Sequence, residues 1–185
     1  MYYSTSAIDG DAVYTLKITT TSNTIVSQTP VIKNFIISKP VNRISFTSNG
    51  DIEWNSAQNA KRYEVSLVFN YKEWAPGYAD TIDLQMYWFL GVELSKDTEG
   101  GENMQIGYAG DGFYSRLGAE LADVPEVKRW AGPVDVFISA ASQEFHTYIE
   151  VNNANGNLLQ EVPIYTNIDG GIGVFGSRHT ISKPY

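Results

Sequence analysis

Chemistry in a protein starts with its nucleophiles and bases. The chain has 2 His and no Cys. The absence of Cys removes disulfides, thiolate metal sites and thiol nucleophiles. A Ser-His-acid relay needs the imidazole beside a nucleophile and an orienting carboxylate. Ser177-Arg178-His179 brings the residue types together, but neighbours on a strand point to opposite faces. No G-x-S-x-G elbow is present. A zinc site would need His146 or His179 joined by carboxylates from scattered segments. Both histidines therefore read as structural or surface residues.

The carboxylates offer two further chemistries. Asp97-Thr98-Glu99-Gly100-Gly101-Glu102-Asn103 gathers oxygen ligands of the kind Ca²⁺ takes, yet the spacing matches no EF-hand loop. A solvated acidic loop is the simpler reading, and Ca²⁺ binding there stays open. Asp80 with Asp83, or Glu99 with Glu102, have the residue types of a glycosidase pair. Such a pair must face across a cleft, which closeness in sequence does not supply. Gly171-Ile172-Gly173-Val174-Phe175-Gly176 matches G-x-G-x-x-G. A dinucleotide site needs a helix after those glycines and an acidic residue about twenty positions on. Here the chain runs out first, so bends or a close backbone approach are expected. No catalytic, cofactor or metal-binding residue is assigned.

Aromatic residues remain. Trp74, Tyr78, Trp88 and Trp130 could build a platform for sugar rings or for a protein partner. Trp88 alternates inward and reads as core, and Trp130 is expected to pin a helical insertion to a sheet. Trp74, beside the Ala75-Pro76-Gly77-Tyr78 loop, is the best exposed candidate. Trp74 and Tyr78 are thus the candidate partner- or glycan-binding aromatics.

The elements that must position them are mainly strands. In Tyr63–Lys72, Tyr63, Val65, Leu67, Phe69 and Tyr71 fall on one face; Glu64, Ser66, Asn70 and Lys72 fall on the other, with Val68 the exception. That period of two predicts a long half-buried strand. Asp51–Trp54 predicts a shorter strand before it, across the small-residue corner that ends at Ala60. Trp54 and Tyr63 are expected in the core. Thr81–Leu90 alternates Ile82, Leu84, Met86, Trp88 and Leu90 against a face that also carries Tyr87 and Phe89, so something is expected to cover that second face. It is expected to form a hairpin with the 63–72 strand.

Ala12–Thr20 and Thr24–Thr29 read as strands, Val31–Ser38 as an edge strand or crossing linker, and Arg43–Thr47 as a short strand. Phe113, Leu117 and Leu121 recur every four residues after Asp111, an expected N-cap, giving an amphipathic helix of about three turns. Glu126–Trp130 is expected to add a helical turn. Val134–Ala140 returns to strand. For Ser142–Asn152 a helix after a Ser142 cap is expected, although a strand fits nearly as well. Asn152–Asn157 reads as a turn, Leu158–Tyr165 as extended, and Gly170 onwards as a Gly-bent terminal strand.

The totals bound the partners. At 185 residues with 43% apolar and 18% charged side chains, the chain is globular and fits one domain, 1–185. A formal net charge of −8 with no basic cluster disfavours nucleic acid and anionic membrane surfaces. No apolar run reaches the length needed to span a bilayer. The chain opens at Met1-Tyr2-Tyr3 already strand-like, so an N-terminal part of a longer protein is expected to precede it.

Two resemblances sharpen this. Trp54 on one strand, the corner to Ala60 and Tyr63 opening the next resemble strands B and C of fibronectin type III-like sandwiches. The tail from Gln160 to Arg178, with Pro163, Tyr165-Thr166-Asn167-Ile168 and a Gly-rich Phe175-Gly176-Ser177-Arg178 end, resembles the closing signature of an uncharacterised family of Bacteroidetes cell-envelope proteins. Trp54–Ala60 with Tyr63, Phe69–Glu73 and Phe113-Tyr114 are similar to the same family. That resemblance implies a secreted outer-membrane lipoprotein, often encoded beside TonB-dependent receptors, and carries over no catalytic residue. The expected protein is a mainly β, immunoglobulin/fibronectin type III-like sandwich with a helical insertion near 111–130. Its expected function is a non-catalytic cell-envelope module that binds a glycan or a protein such as a TonB-dependent receptor, with no cofactor. A carboxylate-based hydrolase and a structural spacer are the alternatives.

Overall fold

A computed structural model describes residues 6–121, 123–153 and 165–185. The order is β1 (Val13–Thr19), β2 (Thr24–Pro30), β3 (Ile37–Lys39), β4 (Gly50–Asn55), β5 (Arg62–Trp74), β6 (Ile82–Leu94), β7 (Asn103–Tyr108), α1 (Gly110–Glu120), β8 (Lys128–Ala141), α2 (Gln143–Asn153) and β9 (Arg178–Pro184). The protein is mainly β. Its strands form three antiparallel sheets: the β1-β2 hairpin, β3-β4-β7, and β6-β5-β8-β9. Among the described residues, no helix is long and apolar enough to cross a membrane.

The core lies between the three- and four-stranded sheets. Ile52, Trp54 and Ile106 from one join Val65, Leu67, Val136 and Ile138 from the other in one buried cluster. The alternation in β5 produces this directly: a pleated strand sends Tyr63, Val65 and Leu67 to one side. Trp54 is 1% exposed and its ring lies 5.6 Å from that of Tyr63. The Tyr63 hydroxyl accepts a hydrogen bond from the Ala57 N–H at 2.7 Å, which fixes the small-residue corner between β4 and β5. Ala57 and Ala60 are buried there, where larger side chains would not fit.

β5, β6 and β8 run 13, 13 and 14 residues, twice the length of β4 and β7. Their inner face therefore overhangs the small sheet, and bare apolar surface there would cost free energy. Helix α1 covers the overhang. Phe113 stacks on Phe46 at 3.8 Å and meets Phe69 edge-on at 5.5 Å, next to buried Tyr71 and Met86. Gly110 lets the helix start against the 46–48 loop: a Cβ there would lie 2.4 Å from the Phe46 carbonyl oxygen.

Several expectations are corrected. The helix begins after Ala109, which makes no side-chain cap bond, and Asp111 lies in its first turn. The Gly110 N–H instead donates to Asn49 Oδ1 at 3.2 Å, a cap supplied by another loop. Glu126–Trp130 forms no helical turn, because β8 already starts at Lys128, so the helical insertion ends at Glu120. Phe113 pins α1 to the sheet, while Trp130 is 49% exposed. Arg43–Thr47 is not a strand. It is held by its Phe46 plug and by Ser45, whose carbonyl accepts the Tyr108 hydroxyl at 3.0 Å. Of Val31–Ser38, only Ile37 and Ser38 enter a strand, and Gly170–Ser177 is bent chain before β9. Ser142–Asn152 is helical as expected, in α2. Leu158–Ile164 of the expected extended segment, 154–157 of the expected turn and 160–164 of the tail lie outside the described residues.

Candidate functional site

The outer face of the four-stranded sheet carries an exposed aromatic cluster. In register across the strands stand Phe89 on β6, Ser66 on β5 and Phe137 on β8; the next row holds Tyr87, Val68 and Asp135. Tyr87 is 60% and Phe89 57% exposed, whereas Val68 beneath them is 2% exposed. Val68, the one apolar break in the polar face of β5, is thus the floor of a shallow trough of about 290 Å³. Ser66 keeps the centre of that floor low between two rings that are two strand spacings apart, roughly 9.5 Å.

Polar side chains close both ends. At one end the Tyr87 hydroxyl donates to Gln85 Oε1 at 2.7 Å, Gln85 Nε2 donates to Asn70 Oδ1 at 2.8 Å, and Asn70 Nδ2 donates to Asp135 Oδ2 at 2.7 Å. At the other end Arg178 pairs with Glu64 at 3.5 Å and donates to Ser139 Oγ, which shares a 2.8 Å hydrogen bond with Thr180. Arg62 holds the second Glu64 oxygen at 3.2 Å and reaches Glu150 of α2 at 3.3 Å. Such chains fix rotamers while leaving lone pairs and N–H groups over for a ligand.

A second concavity, about 440 Å³, opens on the inner side between α1 and the sheet, lined by Tyr71, Tyr114, Leu117, Leu121 and Trp130. It is mainly apolar. At its edge Arg129 Nε donates to Glu73 Oε2 at 2.8 Å, both half-buried.

The residues singled out in the sequence are scattered. Trp74 ends β5 half-buried, with Lys128 Nζ 5.8 Å from its ring centroid. Tyr78 stands 40% exposed on the following loop, so the pair sits at the tip of the β5–β6 hairpin, at the opposite end of β5 from Glu64. Trp88 is half-buried on the inner face against the core. His179 contacts Asn34 Oδ1 at 3.2 Å and the edge of Phe35; His146 lies in α2, where burial pushes its pKa down. Ser177 Oγ donates to the Pro30 carbonyl, away from any relay.

The acidic loop is tied into backbone turns. Asp97 Oδ1 accepts the Glu99 N–H at 2.9 Å and Glu102 Oε2 the Lys96 N–H at 2.8 Å. Gly100 and Gly101 both have φ near +85°, the left-handed region that favours glycine. Asp83 pairs with Lys72 at 3.5 Å, and Asp80 Oδ1 accepts the Thr81 N–H at 2.7 Å. Among the described residues no group of three His, Asp or Glu side chains could hold a metal ion. In the tail Asn167 bonds both the N–H and the carbonyl of Phe175, at 2.9 and 2.7 Å. Thr166 Oγ1 accepts the Gly173 N–H at 3.2 Å. Gly176 lies against Ser142 and Phe145, where a Cβ would meet Ser142 Oγ at 3.0 Å. The G-x-G-x-x-G run therefore shapes backbone.

Sequence reasoning missed all three rings of the outer cluster as site residues: Tyr87 and Phe89 were expected only to be covered, yet stand exposed, and Phe137 was not singled out at all. The signal for Phe137 was present: a Phe on the polar side of Val134–Ala140. What the sequence lacked was the β5–β8 register that sets it opposite Ser66.

The fold and this face define the protein by class as a mainly β domain with an open, aromatic-bearing sheet surface. No family model, no curated protein and no solved structure matches the chain.

Proposed function

We propose that the protein is a non-catalytic binding module of the cell envelope and that the outer face of the four-stranded sheet is its binding surface. One observation carries this: Tyr87 and Phe89 stand more than half exposed over a buried Val68, between polar networks already held in place. A sheet face built only for solvent would not bury Val68 under two bare rings. The envelope location and an association with a TonB-dependent receptor rest on the resemblance of the 160–178 tail.

The finer fold reading is a fibronectin type III-like sandwich. Its support is the strand order. With β3 to β9 lettered A, B, C, C′, E, F and G, the sheets are ABE and C′CFG, the immunoglobulin-like division with C′ joined to the CFG sheet. The helical insertion then falls between E and F.

The carboxylate hydrolase gains no support: Asp80 holds the Thr81 N–H, Asp83 holds Lys72 and Glu102 holds the Lys96 N–H. A protein partner is the second reading. It is favoured by the apolar groove beside α1, which suits a bulky side chain of a docking peptide.

The test compares the whole chain with Tyr87→Ala/Phe89→Ala and with Trp74→Ala/Tyr78→Ala, on a glycan array and on outer-membrane vesicles. Binding is expected to fall at least tenfold in the first variant and to persist in the second. Loss only in the second variant moves the site to the hairpin tip and overturns the face. Release of reducing ends from a bound glycan overturns the non-catalytic reading.

A further inference from the structure

The ligand of this face can be named by class from its charges. Among the described residues the cations nearest the trough already have anions: Arg62 and Arg178 hold Glu64, and Lys72 holds Asp83, while Lys128, at the start of β8, lies over the Trp74 ring at the hairpin tip. The remaining carboxylate, Asp135, accepts the Asn70 amide. Among the described residues the trough itself offers an anionic ligand no unpaired cation, and the chain's net charge of −8 repels one further. A basic peptide finds no unpaired carboxylate cluster either. What the face does offer is flat ring surface and hydrogen-bonding capacity. Tyr87 can still accept at its hydroxyl, Gln85 keeps its second N–H, and Asp135 keeps its second oxygen. Across the trough, Thr180 and Ser139 present hydroxyls beside Arg178.

Resting on the face being the binding surface, we propose that it takes an uncharged oligosaccharide. The apolar C–H faces of its rings lie on Phe89 and Phe137, which flank Ser66 in one row, because aromatic faces carry negative quadrupole density that attracts such hydrogens. Its hydroxyls reach the Gln85-Asn70-Asp135 network along one flank and the Arg178-Ser139-Thr180 network along the other. Hydroxyls are both donors and acceptors, which suits rims that mix carboxylate, amide and hydroxyl groups. The row runs across the strands from β6 to β8, so the chain of sugars crosses the sheet instead of following a strand.

The test uses the full chain, a broad glycan array, and calorimetry with maltohexaose, cellohexaose, mannohexaose and hexagalacturonate as probes. At least one neutral glycan is expected to bind, with affinity unchanged within about twofold between 50 and 500 mM NaCl, since no ion pair forms. Phe89→Ala is expected to weaken it tenfold or more, and Phe89→Tyr to retain it. Phe89 is mostly exposed, so its truncation leaves the fold intact, which an unchanged melting temperature verifies. Phe137→Leu gives a second variant that keeps the apolar floor and removes the ring; a tenfold loss is expected. Binding of hexagalacturonate alone, a salt-sensitive affinity, or a protein ligand lost in Phe89→Ala overturns the neutral-saccharide assignment and leaves the binding surface standing. No neutral glycan on the array also overturns that assignment. Binding that ignores both Phe89→Ala and Phe137→Leu overturns the surface as well.

Discussion

Replacing Tyr63 with Phe tests whether the corner between β4 and β5 is as dry as it looks. Burial pushes the Tyr63 phenol up to about 12; the Ala57 backbone bond pulls the other way and nearby Glu102 adds to the rise. In the unfolded chain a tyrosine titrates near pH ~10. The fold therefore holds its proton more tightly than the unfolded chain does. The stability linked to that proton is fully present below about pH 10 and is lost as pH climbs from ~10 through ~12. A difference of about two pKa units corresponds to about 2.7 kcal/mol in all, of which roughly 1.4 kcal/mol is gone by pH 11. Tyr63→Phe should cost about 1–3 kcal/mol at neutral pH, because the Ala57 N–H loses its acceptor in a buried place. The variant has no phenol to ionise at that site, so its deficit relative to wild type should shrink by about 1.4 kcal/mol at pH 11. Urea unfolding of both proteins at pH 8 and pH 11 measures this. Tyr71, Tyr108 and Tyr165 are also pushed up, mainly by burial, but they are present in both proteins and cancel in the difference. A deficit that stays constant across the two pH values would mean the phenol titrates as in water, and the sealed corner would be refuted.

Other perturbations address α1. Phe113→Ala should cost about 3–5 kcal/mol, since it removes a 6% exposed ring stacked on Phe46. Hydrogen exchange should speed up first in Gly110–Glu120 and in the overhanging part of β5; uniform acceleration would show that the helix is not a separate cover. Gly110→Ala should destabilise by about 1–3 kcal/mol in thermal or urea unfolding, because its Cβ would strike the Phe46 carbonyl. Gly118→Ala, in the same helix with nothing within 4 Å of the added Cβ, should instead stabilise by up to about 1 kcal/mol. Equal effects from the two glycines would contradict the close approach.

How much of this was legible depends on whether the signal was local. β5 and β6 were, because their inner residues repeat every second position and a Pro-Gly loop joins them. The face of α1 was legible from Phe113, Leu117 and Leu121. The first part of β8 was not. Lys128–Pro133 contains Gly132 and Pro133, residues that argue against a strand interior, yet Lys128–Ala131 pairs with Tyr71–Trp74 of β5. The ladder shifts register between Phe69 and Tyr71, leaving Asn70 on one strand and Gly132 and Pro133 on the other outside the pairing. Gly132 fits that shift because a Cβ there would lie 2.8 Å from the Asn70 carbonyl oxygen, and Asn70 Nδ2 donates to the Pro133 carbonyl at 3.0 Å. The bulge thus turns two strand-breaking residues into the means by which β8 bends past β5. It also leaves the Asn70 amide on the outer face, where it joins Gln85 to Asp135. The feature that hid the strand from a local reading is therefore the one that builds the polar end of the proposed binding trough. The trough itself was half visible: Val68, Tyr87 and Phe89 all broke a polar pattern. Only the pairing of β5 with β8, which sets Phe137 opposite Ser66, 71 positions away in sequence, brings Phe137 across to complete it.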